Sequence, residues 1–190
     1  MKKPPRVLLD VDDVIADFVG YYLQVAGKVM NTDYLREQVT EWDIDKCLDL
    51  PEWAKREMKY LICQPRVASA IPEFPGAVES IKELSQISEI YFVTAPYSGS
   101  PTWTRDREDW LHTRFGDLGK RVIHTEYKAP VSGDFFIDDR PINLIEWGDE
   151  QNGIPILWDR PHNHSFDNEA SIIPRMNSWE SVIKLVKERV

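Results

Sequence analysis

The sequence predicts an α/β fold: a doubly wound parallel sheet with a small helical segment inserted after its first strand. Three observations predict it. Short apolar bursts rich in β-forming residues recur at 6–10, 91–96, 121–125, 134–139 and 154–159. Segments with helical periodicity lie between the later bursts, and that alternation is the pattern of parallel α/β sheets. Residues 18–74 break the alternation, with helix-like stretches and no strand-like run.

The elements follow in order. "RVLLD" (6–10) is a short buried strand that ends in a carboxylate. The next segment is rich in aromatics (Tyr21, Tyr22, Tyr34, Trp42, Trp53, Tyr60) and is joined by "LDLPEW" and "CQPR". We take 18–74 as a helical cap insertion, and 1–17 with 75–190 as the core domain. "PGAVESIKELSQI" opens on Pro75 and Gly76 and then spaces Val78, Ile81, Leu84 and Ile87 along one helical face. "YFVTAP" is the second strand, and "TRDREDWLHTRFG" is a helix stopped by Gly116. "RVIHT", "DFFIDD" and "IPILWD" are the remaining strands. "SWESVIKLVKERV" is a final helix with Ser178 as N-cap and Glu180 in its first turn.

Composition narrows the function. With 190 residues, 42% of them hydrophobic, the chain is long enough for one packed domain. A net charge of -9 argues against an extended nucleic-acid track, which needs a basic stripe. Two cysteines, Cys47 and Cys63, are too few for a disulfide scaffold, and free thiols in a cytoplasmic protein are expected. The start "MKKPPRVLLDVDD" has only a very short apolar run, so neither a signal peptide nor a membrane span is expected.

Polar residues gather where the strands end. In open α/β sheets ligands bind beyond the carboxyl ends of the strands. Asp10 and Asp12 follow the first strand, Thr94 ends the second, Asp138 and Asp139 end the fourth, and Lys128 lies in the loop before it. Two acidic pairs brought together repel unless a cation lies between them. Oxygen donors without a supporting histidine or cysteine cluster suit Mg²⁺. Thr94 and Lys128 would complete an anion site, beside which a carboxylate can act as nucleophile.

"DVDDV", "FVTAP", Lys128 and "FIDDRP", in that order, resemble the haloacid dehalogenase superfamily of phosphatases. "PEFPGAVESIKEL", "RFG", "FFIDDRP" and "NSWESV" narrow the resemblance to the 5'(3')-deoxyribonucleotidase family. It covers most of 6–147 and weakly the tail; the insertion matches in position and helical character. The resemblance implies a haloacid-dehalogenase-like core and Mg²⁺-dependent hydrolysis of a nucleoside monophosphate through an aspartyl phosphate. Asp10 would be the nucleophile. Asp12 would be the general acid and then base, and its main-chain carbonyl would join Asp10 and Asp138 as metal ligands. Asp139 would support the metal's water shell. Thr94, Lys128 and Arg107 would contact phosphate, and Phe18, with Trp42 as companion, would pack against the base. A homodimer is also implied.

Two residues depart from the family pattern. Ala95 stands where a serine is common, which removes one phosphate donor, and Asp13 replaces a glycine. Asp13 is expected to cap the next helix. His162 and His164, in a polar loop, are expected to be exposed. Two other functions are weighed. One is a polynucleotide 3'-phosphatase, since "FIDDRPINLIEW" is also reminiscent of those enzymes. The other is a catalytically silent nucleotide-binding protein.

Overall fold

The computed structural model describes residues 3–166 and 172–189. Its centre is a sheet of six parallel strands: β1 (Arg6–Leu9), β2 (Glu89–Thr94), β3 (Val122–His124), β4 (Phe135–Asp138), β5 (Ile154–Trp158) and β6 (Arg175–Met176). The spatial order is β3-β2-β1-β4-β5-β6, so the chain runs outward from β1 in both directions, as doubly wound sheets do.

Alternation along the strands divides the core in two. Val7, Leu9, Ile90, Phe92, Phe135, Ile137 and Ile156 point to one face. That face carries α5 (Ala77–Leu84), α6 (Trp103–Phe115) and α8 (Trp179–Arg189), which supply Ile81, Trp110 and Val182 among others. Leu8, Val93, Phe136 and Leu157 point to the other face, against Leu144 and Trp147 of α7 (Pro141–Glu150). Strands buried on both faces need continuous apolar runs, and this is why β1, β2, β4 and β5 appear in the sequence as bursts.

The predicted strands all form, with shifted ends. β2 begins at Glu89 and stops at Thr94, whereas the apolar burst ran from 91 to 96. β6 was not predicted; two residues at a sheet edge are too short for a periodic signal. Helix ends follow local chemistry. Gly76 (φ 77°) precedes α5 and Gly116 (φ 59°) follows α6, both in backbone conformations that favour glycine. Ser178 Oγ accepts from Ser181 N at 3.3 Å at the start of α8.

Between β1 and α5 lie α1 (Phe18–Met30), α2 (Ile44–Cys47), α3 (Glu52–Ile62) and α4 (Val67–Ala70). The segment leaves and returns through one neck. Asp17 N donates to Pro72 O and Phe74 N to Ile15 O, both at 2.8 Å. Tyr22 is buried, but Trp42, Trp53 and Tyr60 are each more than half exposed, so the aromatic density of this segment is not simply a core.

Gly153, at the turn into β5, is held by close approach. A Cβ there would lie 2.3 Å from Trp147 Cη2 and 2.9 Å from the carbonyl oxygens of Gly133 and Asp134. Gly153→Ala should destabilise the fold by about 1–3 kcal/mol through overpacking. Urea denaturation measures this; an unchanged midpoint would show that the turn is free to relax.

Candidate active site

Sheet register builds the centre of the site. Leu9 pairs with Ile137 across β1 and β4, which sets Asp10 beside Asp138 at neighbouring strand ends. Asp10 N donates to Ile137 O at 2.9 Å, fixing that alignment. The loop before β4 brings in Lys128, whose Nζ donates to Asp10 Oδ1 at 2.6 Å and to Asp138 Oδ2 at 2.8 Å. Asp138 also accepts from Arg140 N at 2.8 Å and from Asn143 Nδ2 at 3.0 Å.

All three groups are buried, and one ammonium faces several carboxylates. Burial, with Asp138, Asp139 and Asp12 nearby, pushes Asp10 well above the usual carboxylate range, although Lys128 opposes the shift. Burial, then the charge of Asp138, raises Asp139 to about 8. For Lys128 burial acts downward, but Asp10 and Asp138 together outweigh it and hold the ammonium charged. The cluster is short of positive charge.

A cation fits that deficit. Asp10, Asp138 and Asp139 each offer a carboxylate oxygen, all within 4.8 Å of one another. Asp139 Oδ1 is buried and has no hydrogen-bond partner among the described residues. Oxygen-only donors of this kind suit a hard divalent cation.

Asp12 lies apart from that group. Its carboxylate accepts from Arg107 Nη2 at 2.5 Å. Arg107 is wholly buried, its guanidinium flanked by the rings of Trp103 and Trp110 at 5.5 and 5.3 Å. The structure thus sets Arg107 on Asp12 rather than on the open cavity, and its Nε and Nη1 have no partner among the described residues. Burial raises the Asp12 carboxyl, while Arg107 opposes the shift. Thr94 Oγ1 is likewise buried and unpartnered among the described residues. The residue after it, Ala95, has no side-chain donor to offer and lines the cavity.

That cavity, of about 560 Å³, opens over Asp10, Lys128 and Asp138. The inserted segment contributes Phe18, Tyr22, Trp42 and Asp45 to its wall, and the core contributes Tyr97, Trp103 and Asn143. The Phe18 ring sits about 6 Å from those of Tyr22, Tyr97 and Trp103, forming an aromatic cluster beside the carboxylates. Trp42 stands apart from that cluster. Its ring meets His162 edge-on at 5.5 Å and lies under the Arg140 guanidinium at 4.8 Å.

Two expectations need correction. Asp17, not Asp13, is the N-cap of α1, accepting from Gly20 N at 2.7 Å. Asp13 adopts φ 55°, a left-handed conformation that aspartate tolerates, which accounts for a residue standing at a glycine position. Its carboxylate still accepts from Val19 N at 3.2 Å, and pairs with Arg36 at 3.1 Å. His162 is buried, not exposed, with Nε2 at 2.7 Å from Asp139 Oδ2. His164 is exposed and pairs with Asp159.

Sequence reasoning missed Asn143, Tyr97, Trp103, His162 and Asn163. Asn143 had a signal: it lies five residues beyond Asp138, in the first turn after Pro141. The contacts of His162 and Asn163 with Asp139 span more than twenty residues and had none.

The model of the 5' nucleotidase, deoxy (pyrimidine), cytosolic type C protein family matches residues 4–190. A Bordetella pertussis protein named "Putative 5'(3')-deoxyribonucleotidase" is 26% identical over 185 residues, covering 93% of this chain and 94% of that one. The human mitochondrial 5'(3')-deoxyribonucleotidase is 26% identical over 142 residues, covering 72% of this chain and 62% of the human protein. Among solved structures, a haloacid dehalogenase-like hydrolase of Streptococcus pneumoniae superposes with a TM-score of 0.64 at 11% identity, over 97% of this chain and 99% of that one. A HAD-hydrolase of Bacillus subtilis bound to magnesium superposes with a TM-score of 0.60 at 14% identity, over 97% and 99%. With its parallel sheet laid out as in haloacid dehalogenase-like hydrolases, the chain belongs to the 5' nucleotidase, deoxy (pyrimidine), cytosolic type C family and is a phosphoric monoester hydrolase.

Proposed function

We propose that this protein is a Mg²⁺-dependent 5'(3')-deoxyribonucleotidase that works through a phosphate ester on Asp10. The observation that carries the reading is Lys128 donating to both Asp10 and Asp138 at the floor of a cavity walled by aromatic rings. The names of the Bordetella pertussis and human relatives agree with it.

Asp10 and Asp138, with the main-chain carbonyl of Asp12, would hold the Mg²⁺, and Asp139 would reach its water shell. The ion would supply positive charge to the carboxylate cluster and to the phosphoryl group. An Asp10 carboxylate oxygen attacks phosphorus as the bond to the sugar oxygen breaks, and Asp12 gives that oxygen its proton. Asp12 then takes a proton from the water that attacks phosphorus, the bond to Asp10 breaks, and inorganic phosphate leaves. Lys128 stabilises charge on the phosphoryl oxygens, and the unpartnered Thr94 hydroxyl donates to one of them. Arg107, turned away from the open cavity, orients the Asp12 carboxylate.

Residues 18–74 would act as the cap, shielding the reacting phosphate from bulk water. Phe18 is the member best placed to meet the base; Trp42, held against His162 and Arg140, is the more remote. Among the described residues no helix is long and apolar enough to cross a membrane, and both cysteines are free. A cytoplasmic enzyme, a homodimer and a free nucleotide rather than an extended nucleic acid as substrate complete the reading.

The direct test is phosphate release from a panel of ribo- and deoxyribonucleoside 5'- and 3'-monophosphates and 3'-phosphorylated oligonucleotides, with Mg²⁺ or chelator. Deoxynucleoside monophosphates should be the best substrates, chelator should abolish turnover, and Asp10→Asn should remove it with the melting temperature retained. Preference for the oligonucleotides would favour a polynucleotide 3'-phosphatase. Tight nucleotide binding without release would make the protein a silent binder.

Phe18→Ala should lower kcat/KM for a deoxynucleotide by about tenfold to a hundredfold, from the 1–3 kcal/mol typical of base–aromatic stacking. A small phosphate ester without a base should be largely spared. Parallel loss of both activities with stability would make Phe18 a packing residue instead.

Arg107→Met should cost about 2 kcal/mol of stability, because Asp12 loses a charged hydrogen bond while remaining partly open to water. In a double-mutant cycle read by urea denaturation, Asp12→Asn and Arg107→Met should combine to less than the sum of their separate costs. Simple additivity would mean that the pair is energetically uncoupled.

A further inference from the structure

We propose that His162 is a positioning residue for the metal site: with Asn163 it grips Asp139 so that the free carboxylate oxygen of Asp139 is held toward Asp10 and Asp138. This rests on the reading of that cluster as a Mg²⁺ site. The grip has two points. His162 Nε2 lies 2.7 Å from Asp139 Oδ2, and Asn163 Nδ2 donates to the Asp139 main-chain oxygen at 2.8 Å. Both residues belong to a single 3-10 turn, Pro161–Phe166, just after β5. A second bond from Asn163 Nδ2, to Trp158 O at 2.8 Å, ties that turn to the end of β5.

The two oxygens of Asp139 are thereby made unequal. Oδ2 is engaged by the imidazole; Oδ1 is buried and unpartnered among the described residues, in a residue whose carboxylate belongs to the cluster with Asp10 and Asp138. Leaving a buried carboxylate oxygen without a donor is costly unless something else meets it. An ionised carboxylate only accepts, so with a cation present His162 carries its proton on Nε2 and donates it. The His162 ring is in turn packed nearly at a right angle against that of Trp42, from the segment between β1 and α5. A chain of contacts therefore runs from that segment through His162 to the carboxylate cluster. Hydrogen-bonding partners of this kind orient the oxygen donors of a metal site and tune its affinity.

The test uses the full chain without nucleotide and measures Mg²⁺ binding by isothermal titration calorimetry. His162→Phe keeps a ring against Trp42 and removes the donor; His162→Gln keeps a donor near the position of Nε2. His162→Phe should raise the Mg²⁺ dissociation constant by about 10- to 100-fold. His162→Gln should stay within about threefold of wild type, with the metal-free melting temperature of both variants close to the parent. In turnover assays His162→Phe should need more Mg²⁺ for half-maximal rate yet approach the wild-type kcat at saturation. If His162→Phe does not fold, His162→Asn, whose shorter amide falls short of Asp139, takes its place and should bind Mg²⁺ as weakly. Unchanged binding in the donor-free variant, or equal weakening in His162→Gln, would overturn the assignment while leaving the Mg²⁺ reading intact. A wild-type protein that binds no Mg²⁺ would overturn that reading itself.

Discussion

Lys128 donating to two buried carboxylates is the interaction around which the site is arranged. Burying several aspartates on adjacent strand ends is unfavourable unless their charge is met. Each structural feature nearby serves that requirement. The register of β1 on β4 sets Asp10 and Asp138 side by side, and the loop before β4 returns Lys128 between them. The backbone of Arg140 and the side chain of Asn143 satisfy what remains of Asp138. Burial, together with neighbouring carboxylates that one ammonium does not balance, raises the affinity of Asp10 and Asp139 for protons. A site short of positive charge but already supplied with oxygen donors suits the cation proposed for it.

The second constraint is the separation of Asp10 from Asp12. They stand two residues apart, yet Asp10 faces Lys128 while Asp12 turns to Arg107. Different partners give the two carboxylates different surroundings, which suits the separate tasks proposed for them. Arg107 is itself fixed by the indoles of Trp103 and Trp110, and the Trp103 ring also packs against Phe18 in the cavity wall. Packing of the α6 helix, placement of Asp12 and shape of the aromatic wall are thus linked through one side chain.

Much of this was legible in the sequence, for identifiable reasons. Buried parallel strands require apolar bursts, and carboxylates at their ends are conspicuous against that background; hence Asp10, Asp12, Asp138 and Asp139 stood out. The helical character of 18–74 was legible from the lack of any strand-like run. What the chain did not disclose depends on contacts distant in sequence. Arg107 meets Asp12 across 95 residues, and nothing local distinguishes it from an arginine on a solvated helix face. His162 lies in a stretch as polar as any exposed loop, and it is buried only because its turn folds back over Asp139. Asp13 was misjudged as the cap because two aspartates compete for one helix start; the left-handed backbone at Asp13 leaves the capping position to Asp17.

The central claim is that Asp10 carries the phosphoryl group during turnover. Rapid acid quenching during hydrolysis of a deoxynucleoside monophosphate with Mg²⁺, followed by borohydride reduction and peptide mass spectrometry, tests it most directly. An acyl phosphate is reduced where a free carboxylate is not, so the side chain of Asp10 should be found converted to an alcohol, only when substrate was present. Reduction at another carboxylate, or none while phosphate is being released, would contradict the account.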